Sequence, residues 1–355
     1  MKYLFRLVSA VVLAAVVTSP AVAFVFAHLS DPHVNVTGDG RFAESGLANL
    51  QRAVEAVRMI EPAFVLVTGD VTERGDDASL EAYQAEIAKL NRPVYTVQGN
   101  HDRPRHPEAF NRVVGPTHPV FDYEACRFVG LNLDSPGDAL ALLAEQLADA
   151  KAKGLGAVFT FAHYPLIAPD GAAFNIAAGF ASLRGEPAVS YLNLARNGDI
   201  LAHFCGHLHT RYEIADPYTG VLSLAVPGCV DHKSAFRICA FKDGILSWSV
   251  GDALTWPLVV VEGVTPHVTW GTAYATASCS VRLLVFGPAP VQEAELQFGN
   301  DTTVPLLKGA EEGTFEAVLD CSELKSNYYD LKTHVVDAAG NESDQKWRVL
   351  VKGIR

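Results

Sequence analysis

The six cysteines of this 355-residue chain include no Cys-x-x-C pair, so the spacing on which zinc ribbons and thioredoxin-type redox sites depend is missing. Positive charge is also in short supply, with 28 Lys and Arg against 40 Asp and Glu and a formal charge of −12. No basic patch interrupts that balance, which argues against a nucleic-acid polymer or an anionic membrane surface as partner. A phosphate group could still be held, provided metal ions supply local positive charge. There is no internal repeat or low-complexity run, and 49% hydrophobic against 19% charged residues excludes a disordered chain. The length exceeds what one hydrophobic core usually serves, so two domains are expected.

At the start of the chain, Lys2 and Arg6 precede apolar residues 7–17 and then Thr18-Ser19-Pro20-Ala21-Val22-Ala23. Residues 1–23 therefore resemble a secretory signal peptide with an Ala-Val-Ala cleavage site. The apolar core is short for a membrane span before Ser19 and Pro20 interrupt it. An uncleaved anchor is the alternative, because residues 21–29 are apolar again; cleavage is preferred because residues 24–29 are needed as a first strand. Export to the periplasm or the exterior is expected, with no membrane span after cleavage. Export permits disulfides, and Cys279 and Cys321 could staple two strands. Cys126, Cys205, Cys229 and Cys239 sit in apolar, strand-like contexts and read as buried thiols.

The chain is rich in one repeated device, an apolar strand that delivers a polar loop. Residues 63–67 lead into Gly69-Asp70-Val71-Thr72-Glu73-Arg74-Gly75, and residues 93–97 into Gly99-Asn100-His101-Asp102. Between them residues 76–90 have helical spacing, so both loops open at one sheet edge, beyond the carboxyl ends of its strands. Residues 24–30 end in Asp31-Pro32-His33, residues 156–161 in Ala162-His163-Tyr164-Pro165, and residues 200–204 in Gly206-His207-Leu208-His209.

Five such motifs in this order resemble the calcineurin-like metallophosphoesterase superfamily over about residues 24–250. The resemblance implies an α/β (α+β) fold, a four-layer αββα sandwich. It also implies two metal ions. One would take Asp31, His33, Asp70 and His209, and the other Asp70, Asn100, His163 and His207, with Asp70 shared so that the ions stand ~3.5–4 Å apart. Nitrogen and oxygen donors without thiolate fit Fe, Mn or Zn. A bridging water, acidified by both ions, would be the nucleophile, His101 the general acid, and Asp102 the residue that orients the His101 ring. Purple acid phosphatases carry an iron-binding tyrosine three residues after the bridging Asp; Glu73 stands there in this chain, so a tyrosinate centre is not expected.

Several positions resist assignment to that pattern. His28, His203 and His232 match no ligand position and read as satisfied strand histidines, with His232 able to lie near the site. Arg74 is similar to a phosphate-serving arginine of protein Ser/Thr phosphatases, but Gln98, Asp102 and the closing Gly206-His207-Leu208-His209 depart from that branch. A solvated or salt-bridged Arg74 is at least as good a reading.

Elsewhere, helices are expected over 45–60, with a core stripe of Leu47, Leu50, Val54, Val57 and Met59, over 108–113 and over 138–152. Strands are expected over 120–123 and 126–132, then, after a loop-rich excursion over 164–188, near 211–214, 221–226, 236–241 and 245–250. From Trp256 the texture changes to short alternating segments, at 281–286, 293–298, 313–319 and 329–337. They predict a smaller all-β immunoglobulin-like domain over 266–355, joined to a catalytic domain over 24–250 by a linker over 251–265.

The motifs most resemble small-molecule phosphodiesterases of the cyclic-nucleotide or glycerophosphodiester type, acting on a small phosphorylated substrate. Phosphomonoesterase or nucleotidase activity is the alternative within the family. An exported surface-interaction protein that uses its β-sandwich is the alternative of another class.

Overall fold

Strand β1 (Ala23–Leu29) sends Phe24 and Phe26 into one core and Ala27 and Leu29 into another, and all four are buried. Period-two alternation with both faces apolar is what a central strand covered on both sides requires. The computed structural model describes residues 23–352 apart from 39, 104–107, 166–185, 217–218, 232, 267–273, 276–277 and 300–301. Nearly all of the expected signal peptide, His232 and most of the 164–188 excursion lie outside the described residues.

β1 pairs in parallel with β2 (Val65–Val67), and β2 with β3 (Val94–Thr96). On its other side β10 (Ala235–Lys242) and β11 (Ile245–Asp252) run antiparallel, completing a five-stranded sheet. Helices α1 (Gly46–Ile60), α2 (Asp77–Ile87) and α3 (Ala109–Val113) cover its outer face over the parallel strands. In α1 Leu50, Ala53, Val54, Val57 and Ile60 are buried at the three- and four-residue spacing that makes one helix face. Met59, expected in that stripe, is 40% exposed: two positions past Val57, it points away from the face. The Asp76 carboxylate caps α2 by accepting from Ser79 N at 3.0 Å.

The second sheet contains β4 (Val120–Tyr123), β5 (Cys126–Leu131), β6 (Ala157–Ala162), β7 (Ile200–Cys205), β8 (Tyr212–Ala215) and β9 (Leu222–Ala225), ordered β4-β5-β6-β7-β9-β8. Its four inner strands are parallel and its two edges antiparallel. Helices α4 (Pro136–Lys153) and α5 (Glu186–Asn197) cover its outer face through Leu140, Leu143, Tyr191 and Ala195. The two sheets meet over an aromatic core of Phe26, Phe64, Phe128, Phe159, Phe161, Phe204 and Trp248. Phe128 sits at its middle, 4.9 Å from Phe64 and 4.8 Å from Phe159 between ring centroids. The order of layers is helix, sheet, sheet, helix, as expected.

The rest of the chain is a two-sheet β-sandwich. One sheet holds β12 (Leu258–Glu262), β14 (Ser278–Phe286), β18 (Thr314–Asp320) and β17 (Leu307–Lys308). The other holds β13 (Tyr274–Ala275), β20 (Glu342–Val351), β19 (Asn327–Asp337), β15 (Val291–Gly299) and β16 (Thr302–Val304), antiparallel apart from the β13–β20 pairing. β12 lies inside the segment expected as a linker. Its apolar run has two faces: Val259 and Val261 enter the sandwich core, while Leu258 and Val260 join the core beneath β10 and α1. Glu262, 1% exposed, is held by Arg282 at 2.9 Å and Lys242 at 3.7 Å, one from each side of this seam.

The staple that Cys279 and Cys321 could have made is not formed, and all six cysteines are free. The register pairs Cys279 with Leu319, two residues before Cys321. Such diagonal neighbours stand ~7–8 Å apart, wider than a disulfide bridges. Among the described residues, no helix is long and apolar enough to cross a membrane.

Candidate metal centre

Each polar loop leaves the carboxyl end of a parallel strand: Asp31 and His33 follow β1, Asp70 follows β2, Asn100 to Asp102 follow β3, His163 follows β6, and His207 and His209 follow β7. Because the two sheets are stacked, their loops converge. Backbone bonds lock them together, Asp31 N to Gly69 O at 3.1 Å, His33 N to Asp70 O at 3.0 Å and Gly206 N to His163 O at 3.0 Å. Asp31, His33, Asp70, His207 and His209 all adopt left-handed backbone, with φ between 46° and 65°. That conformation costs about 1–3 kcal/mol for a residue with a side chain and persists where surrounding structure imposes it, often at functional sites. Glycine is required beside two of them: a Cβ at Gly99 would strike Asp70, and one at Gly206 would strike Ser30.

Two donor clusters result. In the first, His209 Nε2 lies 3.3 Å from Asp31 Oδ1 and 3.2 Å from His33 Nε2. In the second, His163 Nε2 lies 3.2 Å from Asp70 Oδ2, 3.1 Å from His207 Nδ1 and 3.1 Å from Asn100 Oδ1. Asp70 Oδ2 is also 3.8 Å from His33 Nε2, so this carboxylate lies between the clusters. The structure thus brings together all seven expected ligands.

The outer nitrogens fix which face of each ring turns inward. His33 Nδ1 donates to Glu73 Oε2 at 2.7 Å, His163 Nδ1 to Thr68 O at 2.8 Å, and His209 Nδ1 to the Asp231 carboxylate. Each Nε2 lone pair then points into its cluster, the tautomer a metal-ligating histidine needs. Opposed lone pairs at 3.2 Å, flanked by buried carboxylates, fit a divalent cation between them. With protons alone to neutralise the carboxylates, the imidazoles diverge. Burial lowers His163, but the Asp70 charge and hydrogen bond raise it to about 9. His209 likewise rises to about 9 against its burial, through Asp31 and Asp231. His207 falls to about 4 through burial and the charge of His163. Burial favours a neutral Asp31, yet the His209 hydrogen bond and the surrounding imidazoles hold its carboxyl below the usual carboxylate range.

The expected role of Asp102 needs correction. Its fully buried carboxylate accepts from Gly99 N at 2.9 Å, Val71 N at 3.2 Å, Thr72 N at 2.8 Å and Thr72 Oγ1 at 3.0 Å. It therefore ties the β2 loop to the β3 loop. Burial and the nearby Asp70 charge push its pKa up to about 6, against the donors that favour the ionised form. The His101 ring is oriented by Glu73 instead, with Nδ1 3.0 Å from Glu73 O and 3.5 Å from Glu73 Oε2. His101 N donates to Asp70 Oδ1 at 2.8 Å, and its ring stands edge-on to His33 at 4.8 Å.

His203 is satisfied by Thr160 Oγ1 at 3.0 Å and Tyr164 O at 3.1 Å, whereas His28 bonds Thr68 Oγ1 through Nε2 and leaves Nδ1 buried without a partner among the described residues. The Arg74 guanidinium fills the space that a side chain at Gly40 would need. Sequence reasoning missed the orienting roles of Glu73 and Asp231. Glu73, three residues after Asp70 in a tight loop, was within reach of inference; Asp231, 22 residues beyond His209, carries no local signal.

A helix-flanked pair of sheets with histidine and carboxylate clusters at the strand ends defines the class of fold and site found in the phosphoesterases of the calcineurin-like type. Within it, the family model of calcineurin-like phosphoesterases matches residues 24–211, and the chain belongs to that family. Over 141 residues it is 28% identical to a probable cyclic nucleotide phosphodiesterase from Synechococcus sp., an alignment covering 36% of this chain and 54% of that protein. The chain thus spans about half the length of that curated relative. Its fold is similar to a dimetal phosphatase from Danio rerio, with a TM-score of 0.52 and 16% identity over 65% of this chain and 96% of the other. It is also similar to a purple acid phosphatase from yellow lupin, with a TM-score of 0.52 and 13% identity over 65% and 52%.

Proposed function

We propose that this protein is a phosphodiesterase that hydrolyses small phosphodiesters, of the cyclic-nucleotide or glycerophosphodiester type, with two metal ions. The observation that carries the reading is the position of Asp70, whose Oδ2 lies 3.2 Å from His163 Nε2 and 3.8 Å from His33 Nε2, between two complete donor sets. Fe, Mn or Zn suits these nitrogen and oxygen donors. When bound, such a pair supplies Lewis acidity, acidifying water and neutralising phosphoryl oxygens.

The protein's own groups do the rest. Asp31, His33 and His209 would hold one ion, Asn100, His163 and His207 the other, and Asp70 would serve both. His101 donates through Nδ1 to the Glu73 carbonyl, so Nε2 is the atom that hands a proton to the departing oxygen, a contribution typically worth ~10²–10⁴-fold. The His101 side chain is 39% exposed, as a group that meets substrate must be. Asp102 keeps both loops in register while this happens. The name of the Synechococcus relative supports a diester over a monoester, and the character of residues 1–23 supports a place in the periplasm or outside the cell.

The test compares a chromogenic phosphodiester with its monoester on manganese-loaded protein, then cyclic nucleotides and glycerophosphodiesters. A higher kcat/KM on the diester is expected. Preference for the monoester overturns the assignment.

A further inference from the structure

Beside the His163 and His207 cluster stands a group of side chains that the metal ligands do not account for. Arg103 follows Asp102 directly. Its Nη1 pairs with Asp134 Oδ1 at 2.9 Å and its Nη2 donates to Tyr164 Oη at 3.2 Å. Tyr164 is 6% exposed, and its ring packs edge-on against His207 at 4.7 Å and His163 at 4.9 Å. Asp134 comes from the loop after β5, at the same carboxyl edge that supplies the ligands. The guanidinium is therefore fixed from three strand ends, those of β3, β5 and β6.

Two of its five N–H donors are spoken for in this way. Its Nε is buried with no partner among the described residues, although the side chain as a whole is 38% exposed. An arginine braced on both terminal nitrogens, still carrying unused donors and reaching solvent beside a metal cluster, matches the fork that binds phosphoryl oxygens. Its brace also limits the rotamer entropy lost when an anion arrives.

We propose that Arg103 is the phosphate anchor of this site, held by Asp134 and Tyr164 and engaging a non-bridging oxygen of the substrate phosphoryl group on the side of His163 and His207. The inference rests on the phosphoesterase reading above and adds a residue to it. Asp134 trades some positive charge for position. Tyr164 accepts from Arg103, so its own hydroxyl proton is directed elsewhere.

The probe is inorganic phosphate, titrated calorimetrically into full-length, manganese-loaded protein, with metal content measured on the same samples. Arg103→Ala is expected to weaken phosphate binding about 10- to 100-fold at unchanged manganese content, with KM for the diester rising. Arg103→Lys should recover only part of the loss, since a point charge lacks the fork. Tyr164→Phe, which keeps the ring against both histidines, should weaken phosphate several-fold and covers the case in which Arg103→Ala does not fold. Wild-type affinity in metal-replete Arg103→Ala, or in Tyr164→Phe if that variant alone folds, overturns the proposal. Manganese-loaded wild type that binds no phosphate overturns it too; diester hydrolysis by that same preparation would show that the phosphodiesterase reading survives.

Discussion

Replacing Asp102 with alanine separates two readings of one residue. If this carboxylate served His101, its loss would lower turnover and leave folding nearly untouched. The structure gives it another task, because Val71 N, Thr72 N and Gly99 N all donate to it in a fully buried setting. Asp102→Ala strands three backbone donors, and an unpaired buried donor costs about 1–3 kcal/mol. Some water will enter the space left by the carboxylate, so we expect a net loss of about 3–5 kcal/mol. Against a typical stability of about 5–15 kcal/mol, that is a large share. The measurement is equilibrium urea unfolding at pH 7.5 in EDTA, with manganese stoichiometry determined separately after loading. Asp102→Asn, which keeps one acceptor oxygen, should fall between alanine and wild type. A loss below about 1 kcal/mol combined with abolished turnover would refute the loop-tying role.

Two further predictions bear on the core and on pH. Phe128→Ala, which removes the ring between Phe64, Phe121 and Phe159, should cost about 3–5 kcal/mol in the same unfolding assay, and a cost under 1 kcal/mol would mean that the sheets are not held by this aromatic layer. His163 and His209, both raised to about 9 from 6.5, add stability to the metal-free protein that is complete below pH 6.5 and disappears as pH rises through 9. Unfolding in EDTA should therefore show a less stable protein at pH 9 than at pH 6.5, and a flat or rising profile across that window would contradict the assigned charges.

The seven candidate ligand positions were legible because each closes a short apolar strand, and a parallel sheet gathers such ends at one edge whatever lies between them. What the linear order concealed is which neighbours touch. Asp102 adjoins His101 in the chain, yet the turn sends its carboxylate back to the amides of Val71 and Thr72, while Glu73 reaches the His101 ring from the other loop. Asp134 obeys the same strand-end rule after β5 but belongs to no motif, so nothing marked it. Whether Cys279 and Cys321 pair turns on register, which alternation alone cannot supply. The 251–265 segment was read as a connector for its length and its position between textures. Its run of Leu258, Val259, Val260 and Val261 had in fact the makings of a strand buried on both sides.

That strand has a consequence for how the protein can be taken apart. Phe236, Ile238 and Ala240 on the outer side of β10 rest on Leu258, Val260 and Leu284 where an ordinary member of the layer would have a helix. The C-terminal sandwich is therefore a roof rather than a pendant. Any graft, deletion or homologue swap that severs the polypeptide near residue 250 must bring a replacement covering for this greasy underside, or the truncated product will seek one from its neighbours by clumping.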